Sequence, residues 1–423
     1  MKKILLIIVD GIGDKPIPQL RNKTPLEAAY TPNLDFLAKN GICGAIKPFL
    51  FPGQEKPESD TCHLALFGYD PKIYYSGRGP YESTGIGIKL KKGEVALRVN
   101  FATVDENLKV IDRRAGRIEK TQSLIKALSK IKIKGVKFFI KKSYGHRAVL
   151  VLRGKNISSA ITDGDPKRVG EKVKMILPVR LRKYGTKEIK KARFTAETLN
   201  EFLRIANQIL KNHPLNKKRK NEGLLPANYL LVRGAGSLRE TPTFKEKYNL
   251  KACCISGGAL YKGIAKILGM DLIEVKGATG FANTNLKGKI QTAKKALKKY
   301  DFVFLHIKAA DSFAEDGNFF GKKEFIEKID KNLRTPLNLK NTLIVVTADH
   351  STCSLLKRHC SPAIPILIYG NGRDSVKEFS EKACKKGGLG LLRQLNLMPK
   401  ILHRASEGSE GKEEGAKPSS PLQ

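Results

Sequence analysis

The sequence has no long apolar run. Its most continuous one, Ile4 to Val9, is six residues long and stops at Asp10. A membrane span needs about 20 apolar residues and a secretory leader a core of roughly seven or more. The reading is therefore of a cytoplasmic protein with no membrane partner. Cysteine is sparse as well. The seven, at positions 43, 62, 253, 254, 353, 360 and 384, include no Cys-x-x-Cys pair. That argues against a secreted disulfide framework and predicts reduced, mostly buried thiols. Acids are few: 40 Asp and Glu stand against 79 Lys and Arg, a formal net charge of +39. From Asn107 to Arg147 there are thirteen basic residues and two acids. Such a block invites nucleic acid. Yet it lacks zinc-finger spacing, and it has no aromatic-rich RNA-binding signature. Nucleic-acid binding is not expected, and would be non-specific if present. A phosphorylated small substrate needs only a few of these charges.

What the chain does have is alternation. "KILLIIVDG" reads as a buried strand stopped by Asp-Gly. "TPNLDFLAKNG" reads as a short helix with Thr31 at the N-cap, Pro32 at its first position and Gly41 past its end. The last third repeats the pattern: "ALYKGIAKILGM", "NTNLKGKIQTAKKALKKY" and "KKEFIEKIDKNL" read as helices, and "DLIEV", "DFVFLHI", "NTLIVVTADH" and "IPILIYG" as strands. The alternation predicts an α/β fold with a parallel, doubly wound sheet. Residues 77–239 break the rhythm and read as an inserted α+β domain. The organisation expected is 1–76 and 240–403 forming one domain around that insertion, followed by a disordered, low-complexity tail over 404–423.

In open sheets ligands sit beyond the carboxyl ends of the strands. Asp10 follows "LLIIV", Asp311 follows "FVFLHIKAA", and Asp349 and His350 follow "LIVVTA", with His359 a little later. One Asp after a strand is ordinarily a turn or cap residue. Three at one edge, with imidazoles, make a donor set for divalent ions. Two ions about 4 Å apart can clamp both the attacking and the leaving oxygen of a phosphoryl displacement. The stretch "ESDTCHLALF" supplies a nucleophile. Read locally it is a helix start capped by Ser59 or Asp60. Read with the acids, Ser59 is a hydroxyl activated beside a cation at a helix N-terminus. Thr61 is the rival hydroxyl, and His63 is a supporting group.

Many stretches in order, among them "LLIIVDGIGDKPI", "SDTCHLALFGYDP", "YYSGRGPYES", "DRRAGRI", "SYGHRAVLVLRG", "LPANYLLVRGAG", "ISGGALYKGIAKILGMD" and "TADHSTCSLLKRH", resemble the archaeal-type cofactor-independent phosphoglycerate mutases of the alkaline phosphatase superfamily. The resemblance implies an alkaline-phosphatase-like sheet with an inserted lid domain. It implies a 3-phosphoglycerate/2-phosphoglycerate mutase that works through a phosphoserine at Ser59, with no 2,3-bisphosphoglycerate. One metal site would be Asp10, Ser59, Asp349 and His350, and Asp311 and His359 would belong to a second. Arg113, Arg114, Arg117, His146, Arg147, Asp163, Asp165 and Arg233 would meet substrate, with Asp165 moving the proton, and Lys262 would sit near the phosphoserine. The pattern departs at one place: the motif's Asp-x-x-x-His reads Asp311 to Glu315 here. A carboxylate in place of imidazole shifts preference toward Mn²⁺ or Mg²⁺, with Zn²⁺ or Co²⁺ as alternatives. Two other functions stay open: a metal-dependent phosphatase or other phosphotransferase of the superfamily, and a degenerate, non-catalytic member that binds metabolite or nucleic acid.

Overall fold

The computed structural model describes residues 1–133, 135–179, 185–334 and 339–407. The chain folds as two compact units, Met1–Tyr75 together with the chain from Thr241, and Ser76–Glu240. The first unit opens with β1 (Lys3–Val9) and β2 (Gly41–Lys47). The second contributes β3 (Val95–Val104), β4 (Val110–Asp112), β5 (Val136–Lys142), β6 (Arg147–Gly154) and β7 (Tyr229–Gly236). The first unit then resumes with β8 (Ala252–Ile255), β9 (Asp271–Leu272), β10 (Phe302–Ile307), β11 (Thr342–Thr347), β12 (Ser351–Cys353), β13 (Arg358–Cys360), β14 (Ile364–Tyr369) and β15 (Leu391–Arg393).

Eight strands make the first unit's sheet, in the order β15-β2-β14-β11-β1-β10-β8-β9. At its centre every residue of β10 and β11 is buried, as is all of β1 after Lys3. Sheets covered on both faces bury such runs, which is why these strands read as continuous apolar segments instead of alternating ones. The register is level at the carboxyl edge: Val9 pairs with Ile307, and Ile8 with Thr347. The residues that follow β1, β10 and β11 therefore emerge side by side.

The sheet is mixed, which corrects the all-parallel expectation. β14 pairs antiparallel with both β11 and β2, whereas the other pairings in this sheet are parallel. A parallel return needs a crossover of a dozen or more residues, usually a helix. Between β11 and β14 the chain instead makes the short antiparallel hairpin of β12 and β13, so it re-enters reversed. "DLIEV" shrinks to the two-residue edge strand β9. The reduced-thiol expectation is also corrected. Cys353 and Cys360 are joined in a disulfide across that hairpin, while Cys43, Cys62, Cys253, Cys254 and Cys384 are free and buried.

The second unit is a five-stranded antiparallel sheet, β4-β3-β6-β5 with β7 also on β3. The helix Thr186–Asn212 covers it with Ala192, Ala196, Leu199, Leu203, Ala206 and Leu210, an apolar stripe at helical spacing. At the C-terminus the helix Leu397–Ser406 buries Leu397, Met398, Ile401 and Ala405, so order runs into the segment expected to be a disordered tail. The remainder of that tail, from 408, lies outside the described residues. Among the described residues, no helix is long and apolar enough to cross a membrane.

Candidate active site

The level strand ends gather the acids. Asp10 follows β1, Asp349 and His350 follow β11, and Asp311 lies in the first turn of the helix Ala309–Glu315 after β10. All four are at most 1% exposed. Gly11 lets the loops close up. Its φ is +66°, and a Cβ there would lie 2.5 Å from Thr352 Oγ1 and 2.9 Å from Asp311 Cα. Only glycine takes both that conformation and that contact at low cost.

Two overlapping groups of donor atoms result, Asp10 with Asp349 and His350, and Asp311 with His350 and His359; within each group the atoms lie within 4.8 Å of one another. Ser59 joins them from the helix Ser59–Leu66. The residue capping that helix is Glu58, with no side-chain cap bond, so neither Ser59 nor Asp60 plays the capping role the local reading gave them. Asp60 is engaged instead by the Thr61 N–H at 3.0 Å and the Tyr75 hydroxyl at 2.7 Å. Ser59 Oγ lies 3.0 Å from His350 Nε2. The rival hydroxyl of Thr61 donates to the Glu58 carbonyl at 3.1 Å. His63 Nδ1 donates to the Ser59 carbonyl at 2.7 Å and lies 3.4 Å from Asp349 Oδ2, which ties the serine's turn to the acid.

The donor set fits cations. Asp10 Oδ1 and Asp349 Oδ2 are buried carboxylate oxygens with no hydrogen-bond partner. A buried anionic oxygen without a donor is costly unless a cation faces it. Burial, then the Asp10 charge, pushes the Asp349 carboxyl up to about 7. His359 Nδ1 is 2.9 Å from the Pro57 carbonyl, which turns Nε2 toward Asp311 Oδ1 at 3.4 Å. Burial lowers the His359 pKa, but Asp311 outweighs it and lifts the imidazole to about 9. Each group must lose its proton to ligate, Asp349 in the first donor group and His359 in the second. Binding in the first group is thus expected to strengthen about tenfold per pH unit up to about pH 7, and in the second up to about pH 9, one proton leaving in each case. Calorimetric cation titrations in buffers of different ionisation enthalpy check this, and affinities that stay flat from about pH 5 to 9 would exclude these two groups as ligands.

Several residues here were missed in the sequence. Lys308 Nζ bridges Asp10 Oδ2 at 3.1 Å and Asp311 Oδ2 at 2.7 Å. Burial would raise the Asp10 carboxyl, but Lys308 helps hold it well below the carboxylate range. The Tyr261 hydroxyl also donates to Asp10, and Thr352 Oγ1 donates to Asp311 Oδ1 at 2.7 Å while lying 3.2 Å from His350 Nδ1. Lys308 stands just beyond β10, so the strand-end rule that located the acids applied to it equally. Lys262, the lysine chosen from sequence, has its ammonium 2.8 Å from Glu274. Glu315 ends its helix with its side chain 40% exposed, and its Oε1 is 3.9 Å from His359 Nε2.

The second unit gathers the arginines. Asp112 Oδ1 accepts from the N–H groups of Arg114 and Gly116, and Ala115, Gly116 and Arg117 all have positive φ. This folds "DRRAGR" into a tight loop. Arg113 holds Asp165 in two contacts, Nη2 to Oδ2 at 2.6 Å and Nε to Oδ1 at 3.3 Å, with Arg233 Nε 3.9 Å away. Burial would raise the Asp165 carboxyl, yet Arg113 keeps it below its usual value. Asp163 accepts from the Gly234 N–H at 2.8 Å and pairs with Lys167 at 3.4 Å. His146 is driven down to about 3 by burial and then by Arg147, Arg98, Arg114 and Arg117. Beneath them, buried Arg98 lies 3.3 Å from Glu82, which Arg78 also contacts at 2.9 Å. Arg78, Arg98 and Glu82 were not singled out in the sequence. The arginines Arg78, Arg98, Arg113, Arg114, Arg117, Arg147 and Arg233 outnumber the acids Asp112, Asp163, Asp165 and Glu82 among them, which leaves a positive unit suited to a small polyanion.

Comparison with known proteins agrees with this chemistry. The family model for 2,3-bisphosphoglycerate-independent phosphoglycerate mutase matches residues 38–216. A mutase of that description from Archaeoglobus fulgidus is 48% identical over 404 residues, covering 93% of this chain and 96% of the relative. Among solved structures, a protein from Pyrococcus horikoshii superposes with a TM-score of 0.79 at 34% identity, over 98% of this chain and 99% of that one. The cofactor-independent phosphoglycerate mutase of Thermoplasma acidophilum gives 0.64 at 36% identity, over 96% of this chain and 100% of that one. With identity of this order along nearly its whole length, the chain belongs to the 2,3-bisphosphoglycerate-independent phosphoglycerate mutases, a family of isomerases.

Proposed function

We propose that the chain interconverts 3-phosphoglycerate and 2-phosphoglycerate in the cytoplasm, with Ser59 carrying the phosphate between the two. The observation that supports this best is Ser59 Oγ, 2% exposed and 3.0 Å from His350 Nε2, beside carboxylate oxygens that have no donor. Ser59 gives up its hydroxyl proton as its Oγ attacks phosphorus, the bond from phosphorus to the C3 oxygen of the substrate breaks, and that oxygen takes up the one proton released. The glycerate stays bound, turns, and its C2 oxygen takes the phosphate back from Ser59. Asp10, Asp349 and His350 would hold one divalent cation, and Asp311, Glu315 and His359 a second. When bound, the two supply Lewis acidity that lowers the serine's pKa and offsets phosphoryl charge. Carboxylate-rich ligands favour Mn²⁺ or Mg²⁺ over Zn²⁺ or Co²⁺.

The second unit supplies the groups that keep the glycerate. Arg113, Arg114, Arg117, Arg147 and Arg233 hold carboxylate and phosphate, with His146 and Asp163 shaping the site. Asp165, ionised against Arg113, accepts the proton of the attacking hydroxyl. Lys262 would sit near the phosphoserine, and Lys308, between Asp10 and Asp311, would steady the acids. An assay with 3-phosphoglycerate, reading 2-phosphoglycerate and free phosphate together, tests the proposal. Free phosphate as the main product would make the chain a phosphatase, and neither product would make it a non-catalytic binder.

Glu315 gives a separate test. Its carboxylate lies 3.9 Å from a ligand nitrogen, a separation two ligands of one ion can share. Glu315→Ala is expected to weaken one of two bound cations by at least about tenfold, and Glu315→His to keep or raise turnover, most of all with Zn²⁺. Equal metal content in wild type and Glu315→Ala, by native mass spectrometry, would show that Glu315 is no ligand.

A further inference from the structure

The hairpin of β12 and β13 carries His359 of the second donor set and Thr352, which donates to Asp311, and it is small. Each strand is three residues long, joined by a turn over Ser354–Leu356 with Lys357 in the left-handed region at φ 52°. A two-stranded ribbon of this size is marginal by itself. Its register sets Thr352 opposite His359, Ser351 opposite Cys360, and Cys353 opposite Arg358. Side chains alternate across a ribbon, and directly opposed residues share a face. Thr352 and His359 therefore share one face, the one that meets Asp311. Cys353 and Cys360 share the other, as diagonal neighbours with Cα atoms 5.9 Å apart, and their sulfurs are bonded.

We infer that Cys353 and Cys360 are a positioning pair for the second cation site: their disulfide staples the back of the ribbon whose front presents His359 and Thr352. Three contacts depend on that ribbon keeping its shape. His359 Nδ1 meets the Pro57 carbonyl at 2.9 Å, His359 Nε2 faces Asp311 at 3.4 Å, and Thr352 Oγ1 donates to Asp311 at 2.7 Å. Asp10 and Asp349, the carboxylates of the first donor group, stand at the ends of β1 and β11; the ribbon touches that group through the Ser351 bridges to Ile12 and Gly13 and through Thr352 beside His350, but neither carboxylate is borne on it. The linkage answers to redox chemistry. A dithiol reductant gives up two electrons and two protons, its own sulfurs join, and the Cys353–Cys360 bond opens to two thiols. Cys353 is 1% exposed and Cys360 8%, so the exchange calls for a small dithiol and time.

The inference rests on the two-cation reading above. The test is calorimetric titration with Mn²⁺ on the full chain in three forms: oxidised, reduced with dithiothreitol, and the double variant Cys353→Ser/Cys360→Ser. Mapping by mass spectrometry after alkylation verifies the thiol state of each. In the oxidised form two equivalents are expected. In the other two forms one equivalent should weaken on the order of 10- to 100-fold, the usual cost of losing a group that orients a ligand, while the other keeps its affinity. Two equivalents with unchanged affinities in all three forms would overturn the positioning role and leave the proposed function standing. No cation bound by the oxidised form would overturn both. A parallel weakening of both equivalents would show general loosening of the fold and would also overturn it.

Discussion

Ser59→Ala is expected to abolish mutase turnover, by a factor on the order of 10⁶, as when a covalent nucleophile is removed from an otherwise intact enzyme. It is also expected to leave stability almost unchanged, and the pair of results is what decides. Had Ser59 been a helix cap, alanine would cost about 1 kcal/mol and leave any chemistry intact. In the structure Glu58 is the capping residue, and Ser59 Oγ faces His350 Nε2 at 3.0 Å. The change deletes one buried oxygen and no backbone contact. Thr61 cannot stand in without giving up its bond to the Glu58 carbonyl. Thermal unfolding of both proteins, with a coupled assay for 2-phosphoglycerate, makes the measurement. More than trace turnover in the alanine protein would mean that phosphate passes by another group or directly.

Exhaustive chelation should remove activity just as completely. Asp10 and Asp349 hold buried, unpartnered oxygens, and Asp311 lies against them with Lys308 as a shared cation. Without metal, the Lys308 ammonium and the His359 imidazolium cannot neutralise three carboxylates and also bind an incoming phosphate that carries its own negative charge. Added Mn²⁺ should restore turnover, and 2,3-bisphosphoglycerate should neither be required nor restore it. The sequence has no Arg-His-Gly-Glu stretch of the kind used by the unrelated cofactor-dependent mutases. Chelation should lower the melting temperature too, because a ligand present at 100 times its dissociation constant stabilises the folded state by about 2.7 kcal/mol. Full turnover in protein shown by elemental analysis to be metal-free would remove the cations from the mechanism.

The two tests draw on different kinds of information. That β1 is a buried strand and Pro32–Lys39 a helix follows from neighbouring residues: an unbroken apolar run in one case, and Thr31, Pro32 and Gly41 as punctuation in the other. That Asp10, Asp311, Asp349 and His350 belong to one edge follows from each standing just past such a strand. These features are local, and the sequence by itself determined them. The arginine loop and Asp165 were legible only through family resemblance, because no periodicity marks them. Other features had no local signal at all. The same strand signature serves a parallel or an antiparallel neighbour, so the reversal of β14 depended on the short hairpin before it. Whether Cys353 meets Cys360 depended on that hairpin's register. Buried Arg98 and Glu82, on β3 and in the helix Arg78–Gly85, found each other only through the packing of the second unit. Ser59 is 291 residues from His350, and Lys308 is 298 from Asp10. Contacts at that range are set by how the sheet aligns its strand ends, a property of the whole assembled core. The tertiary structure alone therefore decided which hydroxyl faces His350, which lysine joins the acids, and that Ser59 is not a cap.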